Sequence, residues 1–230
     1  MPILFIHGLF PALYDRPADW ICPDLPGYSI NFAESATLPT AVEYLHELIT
    51  EPVHLVGHSI GGAIAVLLAA KYPDCAASLI SVEGNFTLKD AFWSARLAEM
   101  TDFQAFIEVG VQRMDPSQWL VNSGVEVTPK SFAVAKRSLA TDSSTIHSMA
   151  QSVVEITSRP AYLNQVRCVL ENRIPFHLIA GEHSRAAWDV PDFVLNRAAS
   201  FQIQPNAGHM MMMNDRRAFV ELVERIILMA

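Results

Sequence analysis

Positive charge is in short supply in this sequence. Lys and Arg number 16 against 24 Asp and Glu, a formal net charge of −8. No basic run stands out, and nucleic-acid binders carry basic patches, so the balance argues against a phosphate-backbone partner and is explained by ordinary solubility. Cysteine is equally scarce. Cys22, Cys75 and Cys168 are odd in number and far apart, which excludes a disulfide framework, and no CxxC pair is present to hold zinc. A reducing, cytoplasmic setting is expected. Long apolar runs are missing too. The longest, "AIAVLLAA" at 63–70, is far too short to span a bilayer. The opening "MPILFIHG" has neither a basic n-region nor a small-residue cleavage site and does not read as a signal peptide. Repeats and low-complexity tracts are absent.

What is present is a core. Of the 230 residues, 51% are hydrophobic and 17% charged, enough for one sizeable domain, or one domain with a large insertion. Short β-rich runs alternate with helical patterns, which predicts an α/β fold around a mostly parallel central sheet. The strand candidates are Ile3–His7, Trp20–Pro23, Val53–Gly57, Ser78–Glu83, Phe176–Ala180 and Ser200–Gln204. These runs read as buried on both faces, as central parallel strands should be. Helices are expected over Pro39–Ile49, Ile60–Tyr72, Asp192–Ala199 and Asp215–Met229.

One stretch breaks the alternation. From Asn85 to about Arg173 the patterns are helical: "DAFWSARLAEM", "DFQAFIEVGVQRM", "PKSFAVAKRSLA", "STIHSMAQSVVEIT" and "RPAYLNQVRCVLEN", with Asp142 and Ser143 as candidate caps. This divides the chain into a core of residues 1–84 and 174–230 and an inserted helical cap of residues 85–173. Insertions of this kind sit where ligands bind, outside the carboxyl ends of the strands. Within the cap, Phe86, Phe92, Trp93, Phe103, Phe106 and Trp119 supply apolar surface for its own core, and those near its base for a pocket.

The chemistry-bearing stretch is "VHLVGHSIGGAIAVLLAAKY" at 53–72. Gly57-His58-Ser59-Ile60-Gly61 fits G-x-S-x-G, a pattern that about one chain in ten of this length would match by chance. Its flanks add the rest: a strand pattern before it and a helical one after. A sharp strand-to-helix turn throws the serine hydroxyl outward and sets it beside a helix N-terminus. A Gly-Ser turn of purely structural purpose is the alternative. A nucleophilic serine needs a base. Of eight histidines, His209 stands out, in the loop "NAGHM" after the last strand and before the last helix. Serine first and histidine near the end is the order this chemistry takes on an α/β scaffold.

Four motifs stand in order: "FIHGLF" at 5–10, "PDLPGYS" at 23–29, "GHSIGG" at 57–62 and "NAGHM" at 206–210. With them the chain resembles the α/β-hydrolase superfamily, over nearly its whole length outside the insertion. The resemblance implies a nucleophile elbow, an oxyanion hole and a cap domain. It also implies a sheet reduced at its N-terminal edge, since the chain opens on the strand carrying His7-Gly8; an edge so exposed is covered or pairs with another subunit. The oxyanion donors it implies are the backbone N–H groups of Leu9 and Ile60.

The acid is less legible. The superfamily's usual position, in a G-x-x-D turn, falls in "GEHS" and holds Ser184. Three readings stand open: Glu83, which ends the strand after the elbow helix, where some branches of the superfamily carry their acid; Glu182 or Asp189, near the usual place but out of register; or a Ser-His dyad. Glu83 is preferred. Met210–Met213 reads as core and pocket wall, Asp24 as structural, and Arg185 as solvated. The activity expected is hydrolysis of a carboxylic ester or related acyl bond of a small apolar substrate through an acyl-enzyme, with no metal or organic cofactor and no nucleic-acid or membrane partner. The same machinery acting on a carbon–carbon bond or in a lyase reaction, or a non-catalytic ligand receptor on this scaffold, are the alternatives.

Overall fold

A computed structural model describes residues 1–13, 17–29, 31, 35–100 and 115–229. Phe103, Phe106 and the helical pattern at 102–114 lie outside the described residues. Six strands form one sheet: β1 (Ile3–Ile6), β2 (Trp20–Ile21), β3 (Val53–His58), β4 (Ala76–Val82), β5 (Phe176–Gly181) and β6 (Ser200–Gln204). Their spatial order is β2-β1-β3-β4-β5-β6, and every neighbouring pair is parallel. All six expected strands are present. β2 is shorter than its apolar run, ending two residues before Pro23, whose ring nitrogen has no hydrogen for a ladder.

The chain leaves β1 toward one edge to make β2, then returns to the other side of β1 for β3 and steps outward to β6. That reversal creates a crevice outside the carboxyl ends of β1 and β3, the place where open α/β sheets bind ligands. β1, β3 and β5 are buried along their whole length because helices cover both faces.

Helix α1 (Leu38–Leu48) starts on a capping box between Thr37 and Thr40, in which the hydroxyls satisfy N–H groups left over at a helix start. Helix α2 (Ile60–Lys71) is apolar all round. It lies between the sheet, α1 and a later helix, so no face needs polar residues. The described elements between β4 and β5 are all helical: α3 (Phe92–Ala98), α4 (Pro116–Asn122), α5 (Pro129–Leu139), α6 (Ser143–Thr157) and α7 (Pro160–Glu171). Asp142 caps α6 by accepting from Ser144 N–H at 2.8 Å, while Ser143 is its first residue. Helix α4 lies outside the helical patterns quoted above, although Asp115 and Pro116 mark its start as N-cap and first position.

These helices are tied to the sheet domain by buried polar contacts. Thr145 Oγ1 donates to the Gly27 carbonyl at 3.0 Å, and Leu38 N–H donates to Ser152 Oγ at 3.0 Å. Helix α7 packs on α2, and its Tyr162 hydroxyl donates to the Asn85 carbonyl at 2.7 Å. After β5 come α8 (Asp192–Leu195), α9 (Met211–Asn214) and α10 (Arg216–Ile227). The pattern at 192–199 predicts a longer helix than α8. The chain instead straightens so that Ala199 N–H reaches the Phe176 carbonyl at 2.7 Å and aligns β6.

Three buried imidazoles give the fold a pH dependence. His54 Nδ1 meets Ser78 Oγ at 2.8 Å, and His177 Nδ1 meets Ser200 Oγ at 2.9 Å. Burial lowers the pKa of both, and lowers that of His58 further. Above about pH 6.5 the rings are neutral in both states and contribute no slope. Below it the unfolded chain binds protons that the folded rings refuse, so stability falls as pH falls, by up to about 1.4 kcal/mol per pH unit for each proton of difference. Urea unfolding is therefore expected at a lower midpoint at about pH 5 than at about pH 7.5; an equal or higher midpoint at the acidic pH would contradict this.

Candidate active site

A single residue, Ser59, joins β3 to α2. Its backbone is left-handed, with φ 55° and ψ −123°, a conformation that costs a non-glycine residue energy and persists only when its surroundings hold it. Here they do. Ser59 N–H donates to the Val82 carbonyl at 3.1 Å, and its carbonyl accepts from Gly62 N–H at 2.9 Å and Asn85 N–H at 3.3 Å. The flanking glycines answer to space. A Cβ on Gly61 would strike the Ile6 carbonyl, and one on Gly57 would strike the Gly61 carbonyl. The G-x-S-x-G spacing is thus what lets strand, turn and helix pack at this angle.

The loop after β1 runs alongside. His7 fixes it through both ring nitrogens: Nδ1 donates to the Gly8 carbonyl at 2.7 Å, and Nε2 accepts from Leu25 N–H at 3.2 Å. A carbonyl can only accept, so these partners define the tautomer. The Tyr28 hydroxyl donates to the Leu9 carbonyl at 3.0 Å. The "HG" and "PGY" motifs are therefore two halves of one clamp on Leu9. Ile60 is the first residue of α2, and its N–H is one of the four that a helix start leaves without an intrahelical acceptor.

His209 lies in the loop between β6 and α9. Its carbonyl accepts from His58 Nε2 at 3.0 Å. His58 is kept neutral by burial and by the neighbouring His209, which together hold its pKa well below the usual histidine value. The residue beside Ser59 thus anchors the histidine loop, a contact with no signal in the sequence. His209 Nδ1 stands 2.7 Å from Glu83 Oε2. The histidine side chain is 41% exposed and the glutamate 4%, so one partner opens on solvent while the other is sealed beneath it. An ionised carboxylate only accepts, which puts the imidazole proton on Nδ1 and leaves the Nε2 lone pair free.

The sheet register explains the meeting. His58 pairs with Val82 across β3 and β4, and Val82 with Ile179 across β4 and β5. Ser59 and Glu83, each one residue further on, therefore leave neighbouring strand ends side by side. Glu83 also turns left-handed, at φ 41°. The other candidate carboxylates are occupied elsewhere. Glu182 Oε2 accepts from Asn206 N–H at 2.8 Å. Asp189 accepts from Thr87 Oγ1 at 2.8 Å and lies 3.6 Å from Lys89 Nζ.

Ser59, Glu83 and His209 share a cavity of about 450 Å³ with Leu9 and Phe10. Trp119, Trp188 and Met210 add apolar wall. Phe10 and Trp119 meet edge to face at 5.9 Å. Phe86 does not reach the cavity lining; it is buried against Trp188 and Phe176. Met210–Met213 are buried, with Met210 at the cavity. Arg185 lies over the Phe201 ring at 5.4 Å and is not among the lining residues. No group of three or more His, Cys, Asp or Glu is arranged to hold a metal among the described residues.

Residues 3–222 match the model of the alpha/beta hydrolase family. The chain belongs to that family. Among curated members it is similar to the pimeloyl-[acyl-carrier protein] methyl ester esterase of Aeromonas hydrophila, 35% identical over 82 residues, covering 34% of this chain and 32% of that one. It is also similar to Lipase 3 of Moraxella sp., 33% identical over 115 residues, covering 41% and 33%. The matched segments thus span about a third of each relative's length. A thermophilic esterase from Thermogutta terrifontis shares the fold, with a TM-score of 0.68 at 20% identity over 99% of this chain and 89% of that one. Within the family frame, the "HG" turn and the Ser59 turn follow the adjacent strands β1 and β3, and the histidine loop follows β6 at the same carboxyl rim of the parallel sheet.

Proposed function

We propose that this alpha/beta hydrolase cleaves carboxylic esters by covalent serine catalysis. Ser59 attacks the ester carbonyl as His209 Nε2 takes its proton. Glu83 holds the imidazole and stabilises the imidazolium. The N–H groups of Leu9 and Ile60 hold the oxyanion, in a site where main-chain donors are already oriented. His209 then protonates the departing alkoxide, and a water activated by the same ring releases the acyl group. The observation that carries this reading is the 2.7 Å His209–Glu83 pair opening on the cavity that Ser59 shares. The names of both curated relatives, an esterase and a lipase, support the reaction class.

The substrate is a small, mostly apolar ester sized to a cavity of about 450 Å³ with two tryptophans in its wall. Residues 85–173 act as the cap over it, and the core comprises residues 1–84 and 174–230. Three cysteines, odd in number and far apart in the sequence, suit a reducing, cytoplasmic setting, and no helix among the described residues is long and apolar enough to cross a membrane. The acidic balance suits neither a nucleic-acid nor an anionic-membrane partner. The mechanism calls for no metal or organic cofactor.

A fluorophosphonate probe is expected to label the protein at Ser59, as read by peptide mass spectrometry, alongside turnover of p-nitrophenyl esters of short to medium acyl length. Absence of labelling together with absence of turnover would overturn the proposal, and tight ligand binding without either would mark a receptor instead.

A further inference from the structure

Glu83 carries more hydrogen bonds than orienting one histidine requires. Oε2 faces His209 Nδ1 at 2.7 Å. Oε1 accepts two further donors, Gly181 N–H at 2.9 Å and the Ser184 hydroxyl at 2.5 Å. A hydroxyl has one proton and a carboxylate offers none, so Ser184 is the donor. Its distance is that of a charge-assisted bond. Ser184 sits in the tight turn that follows β5, where its N–H donates to the Gly181 carbonyl at 3.2 Å, and it lines the same cavity as Ser59 and His209. The position where the superfamily resemblance leads one to expect the acid thus holds a donor aimed at a carboxylate supplied by the neighbouring strand.

We infer that Ser184 is a positioning residue that acts through Glu83: its hydroxyl and Gly181 N–H together grip Oε1 and so aim Oε2 at His209. This rests on the Ser-His-Glu reading above. The grip is needed because Glu83 has one more methylene than aspartate, hence one more torsion to restrain, and leaves its strand in a left-handed conformation at φ 41°. Two donors on one oxygen fix the plane of the carboxylate, which alone decides whether Oε2 meets Nδ1 along its N–H direction. The hydroxyl also shares the charge of Glu83. With one donor fewer, the carboxylate holds a proton more tightly, whether its own or the one it shares with the imidazolium. Other titratable groups line or neighbour the same cavity: His183; Asp90, which accepts from Phe86 and Asp189 N–H; and Lys89, 3.6 Å from Asp189. His58 is buried and neutral, with its Nε2 on the His209 carbonyl. Glu182 is bound to Asn206 N–H and Asp189 to Thr87. Ser184 therefore stands out as a side-chain neighbour able to tune Glu83.

The test compares wild type, Ser184→Ala and Ser184→Thr for hydrolysis of one p-nitrophenyl ester across pH. Losing a hydrogen bond to a charged group typically costs about 10- to 100-fold. Ser184→Ala is expected to lower kcat by about tenfold with KM nearly unchanged, and to move the acidic limb of kcat/KM to higher pH. Ser184→Thr, which keeps the hydroxyl, is expected to return both rate and limb toward wild type. A Ser184→Ala enzyme with the wild-type rate and an unmoved acidic limb overturns the inference, as does a Thr variant no better than Ala. These outcomes are distinct from failure of the underlying reading, in which wild type itself neither turns over nor takes the fluorophosphonate label.

Discussion

Ser59→Ala is expected to lower kcat for a p-nitrophenyl ester by on the order of 10⁶-fold, to a residual rate set by binding and the oxyanion donors. The loss is this large because base, acid and nucleophile act as a unit: without the hydroxyl, His209 has no proton to take and no acyl-enzyme forms. The fold is expected to be unaffected. The Ser59 side chain makes no cap hydrogen bond to α2. The contacts that hold the elbow are all main-chain, to Val82, Gly62 and Asn85, and survive the change. Alanine at φ 55° bears the same backbone penalty as serine. Circular dichroism and the melting temperature should match wild type within a few degrees, while steady-state assay and fluorophosphonate labelling both fall to background. Retained esterase activity in a folded Ser59→Ala protein would remove Ser59 from the mechanism.

Glu83→Gln should lose about 10⁴-fold in kcat, again without unfolding. The reason lies in who can donate to whom. Glu83 Oε1 accepts from Gly181 N–H at 2.9 Å, a fixed donor. A glutamine that keeps its oxygen there turns its NH₂ toward His209 Nδ1 and forces that nitrogen to accept. The imidazole proton then moves to Nε2, the atom that should receive the Ser59 proton, and the base is disabled by its tautomer. The flipped amide fares no better, since its NH₂ then meets Gly181 N–H donor to donor. Glu182→Gln and Asp189→Asn keep an amide oxygen to accept from Asn206 N–H and Thr87 Oγ1, the second losing its exposed ion pair with Lys89, and are expected to stay within about tenfold of wild type. A near-normal Glu83→Gln beside a crippled Glu182 or Asp189 variant would assign the acid to the other carboxylate.

How far the sequence reaches depends on the range of the interaction involved. The strand runs at 53–57 and 176–180 are apolar but for His54 and His177, lack alternation, and form strands buried on both faces, because a two-sided cover imposes a purely local pattern. The elbow is also local: glycine, serine and glycine stand within five residues, and the steric demand on them arises within the same turn and the adjacent β1. Helix ends were less legible. The run at 215–229 and its preceding methionines resolve into two helices, α9 and α10, separated by Asp215 in extended conformation. There Asp215 serves as a cap, accepting from Ala218 N–H at 2.9 Å, and a cap residue is polar whether or not a helix also ends before it.

The amino-acid sequence by itself determined the α/β class and singled out the Ser59 turn and the His209 loop as the candidate site, since each follows from short-range pattern and chain order. Only the tertiary structure decided which carboxylate faces His209, that Ser184 meets that carboxylate from the place of an expected acid, and that His58 anchors the histidine loop. Those contacts join residues 126, 101 and 151 positions apart. They depend on the register of four parallel strands, which carries their carboxyl ends to one rim, and no local pattern in the chain encodes that register.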